Sequence, residues 1–356
     1  MKAELDLILT QAVELGASDI FVVAGLPLTY KVQGRQQRME ELGLWTPADT
    51  RDFAGAVCRR GGRPEAALDT SFTDDDFSFS LPGVGRFRVN LFRQRGSLAA
   101  VVRVIRFGLP TAEEMHIPRE VMRIAGMKRG IALVTGSAGS GKSTTLACII
   151  DQINHTRTGH ILTLEDPVEY IHRHDRCIIS QREIPIDCPS YVSALRSALR
   201  ECPDVILLGE MRDRETMEVA MSAAETGQLL LSTLHTVGAA NTIDRIIDSF
   251  PAAQQPQIRL QLSMVLQAVV SQQLVPGVDG QPVPVFEIMF TNMAIRNMIR
   301  ESKSHQIDSV IASGGAQGMR TMDMALVELV QQRKITVDTA LTYCVSYETV
   351  SRRLHI

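Results

Sequence analysis

The run Gly136-Ser137-Ala138-Gly139-Ser140-Gly141-Lys142-Ser143 fits the spacing G-x-x-x-x-G-K-[ST] of a phosphate-binding loop. Glycines at that spacing let successive backbone N–H groups curl around phosphate oxygens, and a helix starting at the loop turns its positive end toward them. The lysine of such a loop reaches the β- and γ-phosphates of ATP, and the hydroxyl after it ligates Mg²⁺. Gly136, Ser137, Ala138, Gly139, Ser140, Gly141, Lys142, Ser143 and Thr144 are therefore the candidate nucleotide-binding residues. Ser143 is also a candidate metal ligand.

Hydrolysis needs more: a carboxylate near the metal, a group that orients water, and positive charge for the transition state. Val205-Ile206-Leu207-Leu208-Gly209-Glu210 reads as an apolar strand ending in an acid, which makes Glu210 the candidate Mg²⁺-associated carboxylate. Leu162-Thr163-Leu164-Glu165-Asp166-Pro167-Val168-Glu169 ends another strand in clustered acids. Such acids can divide metal binding and proton abstraction, or they can form a solvated Asp-Pro turn; spacing leaves both open. His235 ends a third apolar run, and a lone histidine there serves as readily for structural hydrogen bonding as for phosphate sensing. Arg86, Arg88, Arg93, Arg95 and Arg103 crowd an early segment. At alternating strand positions Arg86 and Arg88 share a face. They form either a solvated basic strand or a set of arginines offered to a nucleotide on another domain or subunit.

The elements that must position these groups follow from periodicity. Residues 131–135 read as a buried strand and 144–154 as a helix with Leu146, Ile149, Ile150 and Ile153 on one face. Strands over 160–164, 205–208 and 228–234 alternate with helices over 191–200, 214–225 and 241–249. That alternation predicts a mainly parallel sheet with helices on both faces and ligands at the carboxyl ends of its strands. Ile258, Leu262, Val265, Leu266 and Val269 predict one long helix, and roughly the last hundred residues are expected to be mostly helical. Residues 1–108 predict a smaller α/β domain, with helices over 5–15 and 47–59 and strands over 20–23, 28–32, 77–80, 87–92 and 99–105. Residues 109–118 read as a linker in which Thr111 and Glu114 have capping-box spacing, and 119–356 as the nucleotide domain.

Composition sets outer limits. A chain of 356 residues suggests two domains, and 45% hydrophobic with 22% charged residues is the balance of a globular protein with ample core. A net charge of −3 does not favour nucleic acid or anionic lipid. None of the six cysteines stands in C-x-x-C spacing, so free thiols in a reducing compartment are expected rather than a zinc or redox motif. The N-terminus has acidic residues where a signal peptide is apolar, and no run reaches the ~18 apolar residues of a spanning helix. A cytoplasmic location is expected.

These segments together resemble the PilT family of type IV pilus retraction motors, within the larger class of secretion ATPases. The resemblance covers nearly the whole chain. It begins with Gly16-Ala17-Ser18-Asp19-Ile20 and Ala24-Gly25-Leu26-Pro27-Leu28, and continues through residues 85–90 and 92–96 and the phosphate loop. Residues 162–169 look like the family's Asp box, 203–213 like its Walker B, and 223–227 with 233–236 like the region of its His box. Most specific is Ala294-Ile295-Arg296-Asn297-Met298-Ile299-Arg300-Glu301, similar to a motif of retraction-type motors. By periodicity alone that segment is only an amphipathic helix with Arg296 and Arg300 one turn apart.

The resemblance implies a PAS-like N-terminal domain, a RecA-like P-loop NTPase C-terminal domain, and a homo-hexameric ring with ATP between domains. Hydrolysis then rotates one domain against another. It further implies docking on an inner-membrane pilus platform protein at the inner face of the cytoplasmic membrane, and leaves room for a second pilus motor ATPase as partner. Carried over by position, Lys142 and Ser143 bind phosphate and Mg²⁺, Glu165 is the general base, Glu210 the Mg²⁺-associated acid and His235 the γ-phosphate-side sensor. Arg88 and Arg103 are the arginine fingers, with Arg86 next in line. Departures are Ser137-Ala138 where the family usually has Pro-Thr, Cys202 where an acid usually stands, and a tail beyond Ile335 that matches nothing. Extension and secretion motors usually carry an extra N-terminal domain and a four-cysteine zinc motif, neither of which is expected here. An accessory, retraction-dependent paralogue is the alternative reading.

Overall fold

The computed structural model describes residues 4–32, 34–64, 68, 71–105 and 108–356. The chain divides into two compact units, Met1–Gly108 and Leu109–Ile356.

In the first unit the order is α1 (Leu5–Glu14), β1 (Ala17–Val22), β2 (Thr29–Val32), β3 (Arg35–Arg38), α2 (Pro47–Arg60), β4 (Asp74–Leu81), β5 (Gly85–Gln94) and β6 (Ser97–Ile105). The strands form one antiparallel sheet in the order β3-β2-β1-β6-β5-β4. Alternation decides its faces. Phe87, Val89 and Leu91 of β5 are buried on one side, while Arg86, Arg88 and Asn90 point to the other. Leu5, Ile8, Leu9 and Ala12 of α1 join the buried side, as do Phe53 and Val57 of α2. The start of α2 is set by a capping box between Thr46 and Asp49, with Pro47 at the first helical position. Strand β3 is exposed at every residue and polar throughout, so no apolar alternation announces it.

The second unit runs α3 (Arg119–Met122), β7 (Gly130–Thr135), α4 (Lys142–Thr156), β8 (Gly159–Glu165), β9 (Cys177–Glu183), α5 (Tyr191–Ala198), β10 (Val205–Leu208), α6 (Arg214–Glu225), β11 (Leu229–Leu234) and α7 (Ala239–Asp248). It continues through α8 (Gln255–Val265), β12 (Leu266–Pro276), β13 (Pro282–Phe290), α9 (Met293–Arg300), α10 (Ile307–Ser313), α11 (Met322–Gln331), α12 (Val337–Tyr343) and α13 (Tyr347–Leu354). The sheet order is β13-β12-β7-β11-β10-β8-β9, and every pairing is parallel except β12 with β13. β7, β10 and β11 are buried at every residue, which is why they read as unbroken apolar runs. Helices cover both faces. One core joins Leu230 and Leu164 to Met217, Ile243 and Leu262; another joins Leu231 and Val134 to Ile149 and Ile153 of α4.

Three sequence expectations change. The helix expected over 258–269 ends at Val265, and the chain turns into β12 at Leu266. Val269 and Val270 are wholly buried between β7 and β13, a place only an extended segment can fill. A short buried strand and a buried helix face look alike in periodicity, and here β-branched residues decide. With β12 and β13 in the sheet, the C-terminal region is less helical than expected. Residues 109–118, expected as a linker, are part of the second unit: Ile117 is buried with Val121 and Ile124. Thr111 and Glu114 do exchange the two capping-box hydrogen bonds, at 2.8 and 3.2 Å, but these close a turn before α3 rather than open a helix. Among the described residues no helix is long and apolar enough to cross a membrane.

Burial gives a direct test. Leu230 is 0% exposed in β11, whereas Leu260 on α8 is 49% exposed. Leu230→Ala should cost about 2–5 kcal/mol and Leu260→Ala less than about 0.5 kcal/mol. Urea melts followed by tryptophan-independent far-UV signal would show a large shift in midpoint for the first variant only; equal shifts would contradict the placement of β11 in the core.

Candidate functional site

The site begins where β7 ends. Gly136 donates its N–H to the Leu234 carbonyl at 3.2 Å, so the phosphate loop leaves the sheet level with the end of β11. Two glycines are required by shape. A methyl group at Gly136 would sit 2.1 Å from the Gln272 carbonyl oxygen, and one at Gly141 would sit 2.9 Å from the Gln272 side-chain nitrogen. Their φ angles of +141° and +88° are in the region that L side chains rarely adopt. Gly141 is also the N-cap of α4, and no side chain caps that helix start. Its first-turn amides, four orphan donors in any helix, are left facing the loop. Buried Ser140 adds a hydroxyl with no partner. A cradle of free donors closed against side chains fits phosphate oxygens.

Lys142 folds over this loop, donating to the Gly136 and Ser137 carbonyls at 3.0 and 2.8 Å. Burial lowers its pKa, opposed by the charges of Glu210 and Glu169. Ser143 lines a small cavity of about 30 Å³ together with Glu165, Tyr170, His172, Gly209 and Thr233. Thr144 instead shares a 2.8 Å hydrogen bond with the Tyr170 hydroxyl, which ties the first turn of α4 to the acidic segment after β8.

Glu165 is the last residue of β8. Burial pushes its carboxyl up to about 7, with Gln181 on β9 donating to it at 3.4 Å and opposing the rise. The same Gln181 side chain donates to the Tyr170 carbonyl at 2.8 Å and accepts from the His172 N–H at 2.8 Å. It thereby holds the acidic segment against the edge of the sheet. Glu210 follows β10 by one glycine. A methyl at Gly209 would press on the Tyr191 hydroxyl at 2.9 Å and the Leu164 carbonyl at 3.3 Å, so the chain passes closely between β8 and α5 here. The Glu210 carboxylate accepts from Arg212 at 2.5 Å and faces the His235 Nε2 at 3.3 Å. His235, the residue after β11, is half exposed.

The structure thus brings Gly136 to Thr144, Glu165, Glu210 and His235 to one edge of one sheet. A single hydroxyl, Ser143, and a single partly buried acid, Glu210, suit an ion whose remaining ligands are phosphate oxygens and water. Among the described residues no group of three or more His, Cys, Asp and Glu side chains forms a metal site of its own. The arginines belong to the first unit. Arg88 and Arg103 are direct register partners on β5 and β6, with Arg86 on the same face. Arg88 binds Asp76 at 2.6 Å, Arg103 binds Asp19 at 3.1 Å and Arg86 binds Ser78 at 2.6 Å.

Sequence reasoning missed Arg212, Gln181, Tyr170 and Gln272 as supports of this site. Arg212 stood in plain view two residues after Glu210. Gln181 and Gln272 sit on strands that periodicity did not single out, and nothing in their spacing links them to the loop.

The type II/IV secretion system protein family model matches residues 99–340. The type IV pilus retraction ATPase PilT of Pseudomonas aeruginosa is 44% identical over 325 residues, 91% of this chain and 93% of that protein. The type IV pilus ATPase PilU of the same organism is 40% identical over 341 residues, 96% of this chain and 88% of that protein. A crystal structure of the pilus retraction motor PilT with bound ADP superposes with a TM-score of 0.87 at 41% identity, covering 98% of this chain and 99% of that one. The chain belongs to the type II/IV secretion system proteins and, within them, to the PilT family of ATPases.

Proposed function

We propose that this protein is a Mg²⁺-dependent ATPase that powers retraction of a type IV pilus, working as a homo-hexamer docked on an inner-membrane platform protein at the cytoplasmic face. The observation that carries the reading is the convergence of the phosphate loop, Glu165, Glu210 and His235 at the carboxyl ends of neighbouring parallel strands. It occurs in a chain 44% identical to a pilus retraction ATPase.

In this reading the loop amides and Lys142 bind the phosphates of ATP, and Ser143 with Glu210 holds Mg²⁺. When bound, that ion neutralises charge developing on the phosphate oxygens. Glu165 takes the proton of the attacking water. A base with its pKa near the working pH combines the correct ionisation state with a useful driving force. His235, held by Glu210, faces the γ-phosphate side. Arg88 and Arg103 supply positive charge from a neighbouring subunit, releasing Asp76 and Asp19 as they do so.

A second reading, an accessory motor that acts only beside a principal one, is favoured by the 40% identity to PilU over 96% of the chain. Restoring retraction in a strain that lacks its retraction ATPase separates the two. The principal motor restores twitching alone; the accessory one fails unless the principal motor is present.

Lys142→Ala should abolish ADP binding measured by titration calorimetry. Glu165→Gln should keep ADP affinity while kcat falls by about 10²-fold or more. Retention of near-normal kcat would remove Glu165 as the base.

The raised pKa of Glu165 sets two pH signatures of opposite kind. The base must be ionised, so kcat should climb as pH rises through about 7. Stability runs the other way. Between the ordinary glutamate range and about 7 the folded state binds the extra proton, so this contribution is lost as pH rises through that window. Glu165→Gln should flatten both profiles.

Arg88→Ala and Arg103→Ala should each lower kcat by up to about 10³-fold. Mixing Arg88→Ala with Lys142→Ala protein should restore part of the turnover, because some interfaces then combine an intact loop with an intact arginine. No recovery on mixing would place the arginine's action within its own chain or outside catalysis.

A further inference from the structure

We infer that Gln272 is a positioning residue for the phosphate loop, fixing its entry, its exit and the first turn of α4 from beneath. The inference rests on the nucleotide reading of that loop. Strand β12 lies parallel to β7 with Ser271 opposite Thr135, so Gln272 falls level with Gly136, the first residue beyond the strand. There the backbone carbonyl of Gln272 occupies the space a side chain at Gly136 would need. Its side-chain nitrogen occupies the corresponding space at Gly141. Its Oε1 accepts a 2.7 Å hydrogen bond from the buried Thr145 hydroxyl, in the first turn of α4.

Gln272 is itself 4% exposed and interrupts a run in which Ala268, Val269 and Val270 are wholly buried. A buried amide in the middle of an apolar sheet is unfavourable unless it is hydrogen-bonded. Gln272 as a whole reaches three points, with its backbone carbonyl at Gly136, its side-chain nitrogen beside Gly141 and its Oε1 at Thr145, five and nine positions on from the first. It sets the distance between Gly136, where the chain leaves the sheet, and the helix start that presents donors to phosphate. A loop whose donors are placed before binding loses less freedom when the ligand arrives. Removing the amide leaves β12 in place through its backbone pairing, and leaves the loop to find its seat only when a ligand imposes one.

The test uses the full chain. Gln272→Met keeps length and apolar volume while deleting the hydrogen bond to Thr145 and the side-chain nitrogen beside Gly141. Thr145→Val deletes the same hydrogen bond from the helix side, and Thr145→Ser keeps the hydroxyl. Affinity for a fluorescent ADP analogue is measured for each, alongside KM and kcat for ATP. The expected result is a Kd raised roughly tenfold in Gln272→Met and in Thr145→Val, with Thr145→Ser within about twofold of wild type. The double variant Gln272→Met/Thr145→Val should be no weaker than the poorer single variant, since both remove one shared interaction. KM should rise with Kd, while kcat at saturating ATP changes less than about threefold. Should Gln272→Met fail to fold, Thr145→Val and its serine rescue decide alone. Tight wild-type binding with unchanged affinity in Gln272→Met and Thr145→Val, or fully additive losses in the double variant, overturns the assignment. Absence of ADP binding in the wild type overturns the nucleotide reading with it.

Discussion

The parallel register of β8, β10, β11 and β7 is the constraint on which the catalytic unit depends. Leu164 lies opposite Leu208, Leu208 opposite Ser232, and Leu234 opposite Thr135. The strands therefore run out at one edge within a residue or two of each other. Buried on both faces, they admit no charged side chain along their length. Charge appears only where each strand stops: Glu165 at the end of β8, Glu210 two residues past β10, His235 just past β11, and Lys142 across the loop that follows β7. The apolar character of the sheet and the polar character of its edge are one fact seen twice. A shift of one strand by one residue would separate these groups and bury a charge in the core.

Burial at that edge then sets the chemistry. Desolvation drives both Glu165 and Lys142 toward their neutral forms, so an acid is raised and a base is lowered by the same cause. The two are compensated differently. Lys142 has loop carbonyls within 3.0 Å and the carboxylates of Glu210 and Glu169 nearby, so its charge is satisfied as it stands. At Glu165 burial outweighs the hydrogen bonds from Thr163, Gln181 and the Glu169 backbone that oppose the rise, and the nearby Glu169 charge adds to it. The Glu165 carboxyl is thus shifted toward its protonated form by burial, whereas the Glu210 carboxylate is ion-paired with Arg212 at 2.5 Å.

Much of this was legible in the chain alone. The loop spacing, the acid after Leu-Leu-Gly and the strand-helix alternation are local signals, and local signals survive in a sequence. What was not legible depends on residues brought together across the fold. The antiparallel edge strand Arg35–Arg38 has no apolar pattern because neither face of it is buried. The Gln181 and Gln272 side chains meet Glu165 and Thr145, 16 and 127 residues away, and a glutamine in a sequence carries no mark of its partner. The arginines of the first unit were visible as a cluster, yet their partners Asp76 and Asp19 became apparent only when β4 and β1 took their places beside them.

The misread helix after Ile258 is the instructive case, because its error and the motif at 294–301 have the same physical root. Helix α8 stops abruptly at Val265 and becomes strand at the next residue, without the glycine that commonly ends a helix. Its last carbonyls are instead taken by Arg296, whose guanidinium donates to Ser263 and, at 2.8 Å, to Met264. A cap supplied from α9, about thirty residues on, leaves no trace in the sequence around the helix end. It also gives the motif a physical task that amphipathicity alone does not suggest. Arg296 caps α8 at the point where β12 follows it. Buried Ile295 and Ile299 anchor the helix that carries the arginine. Strand β12 thus meets the capped end of α8 at its beginning and lies beside the phosphate loop at its sixth and seventh residues, Ser271 and Gln272.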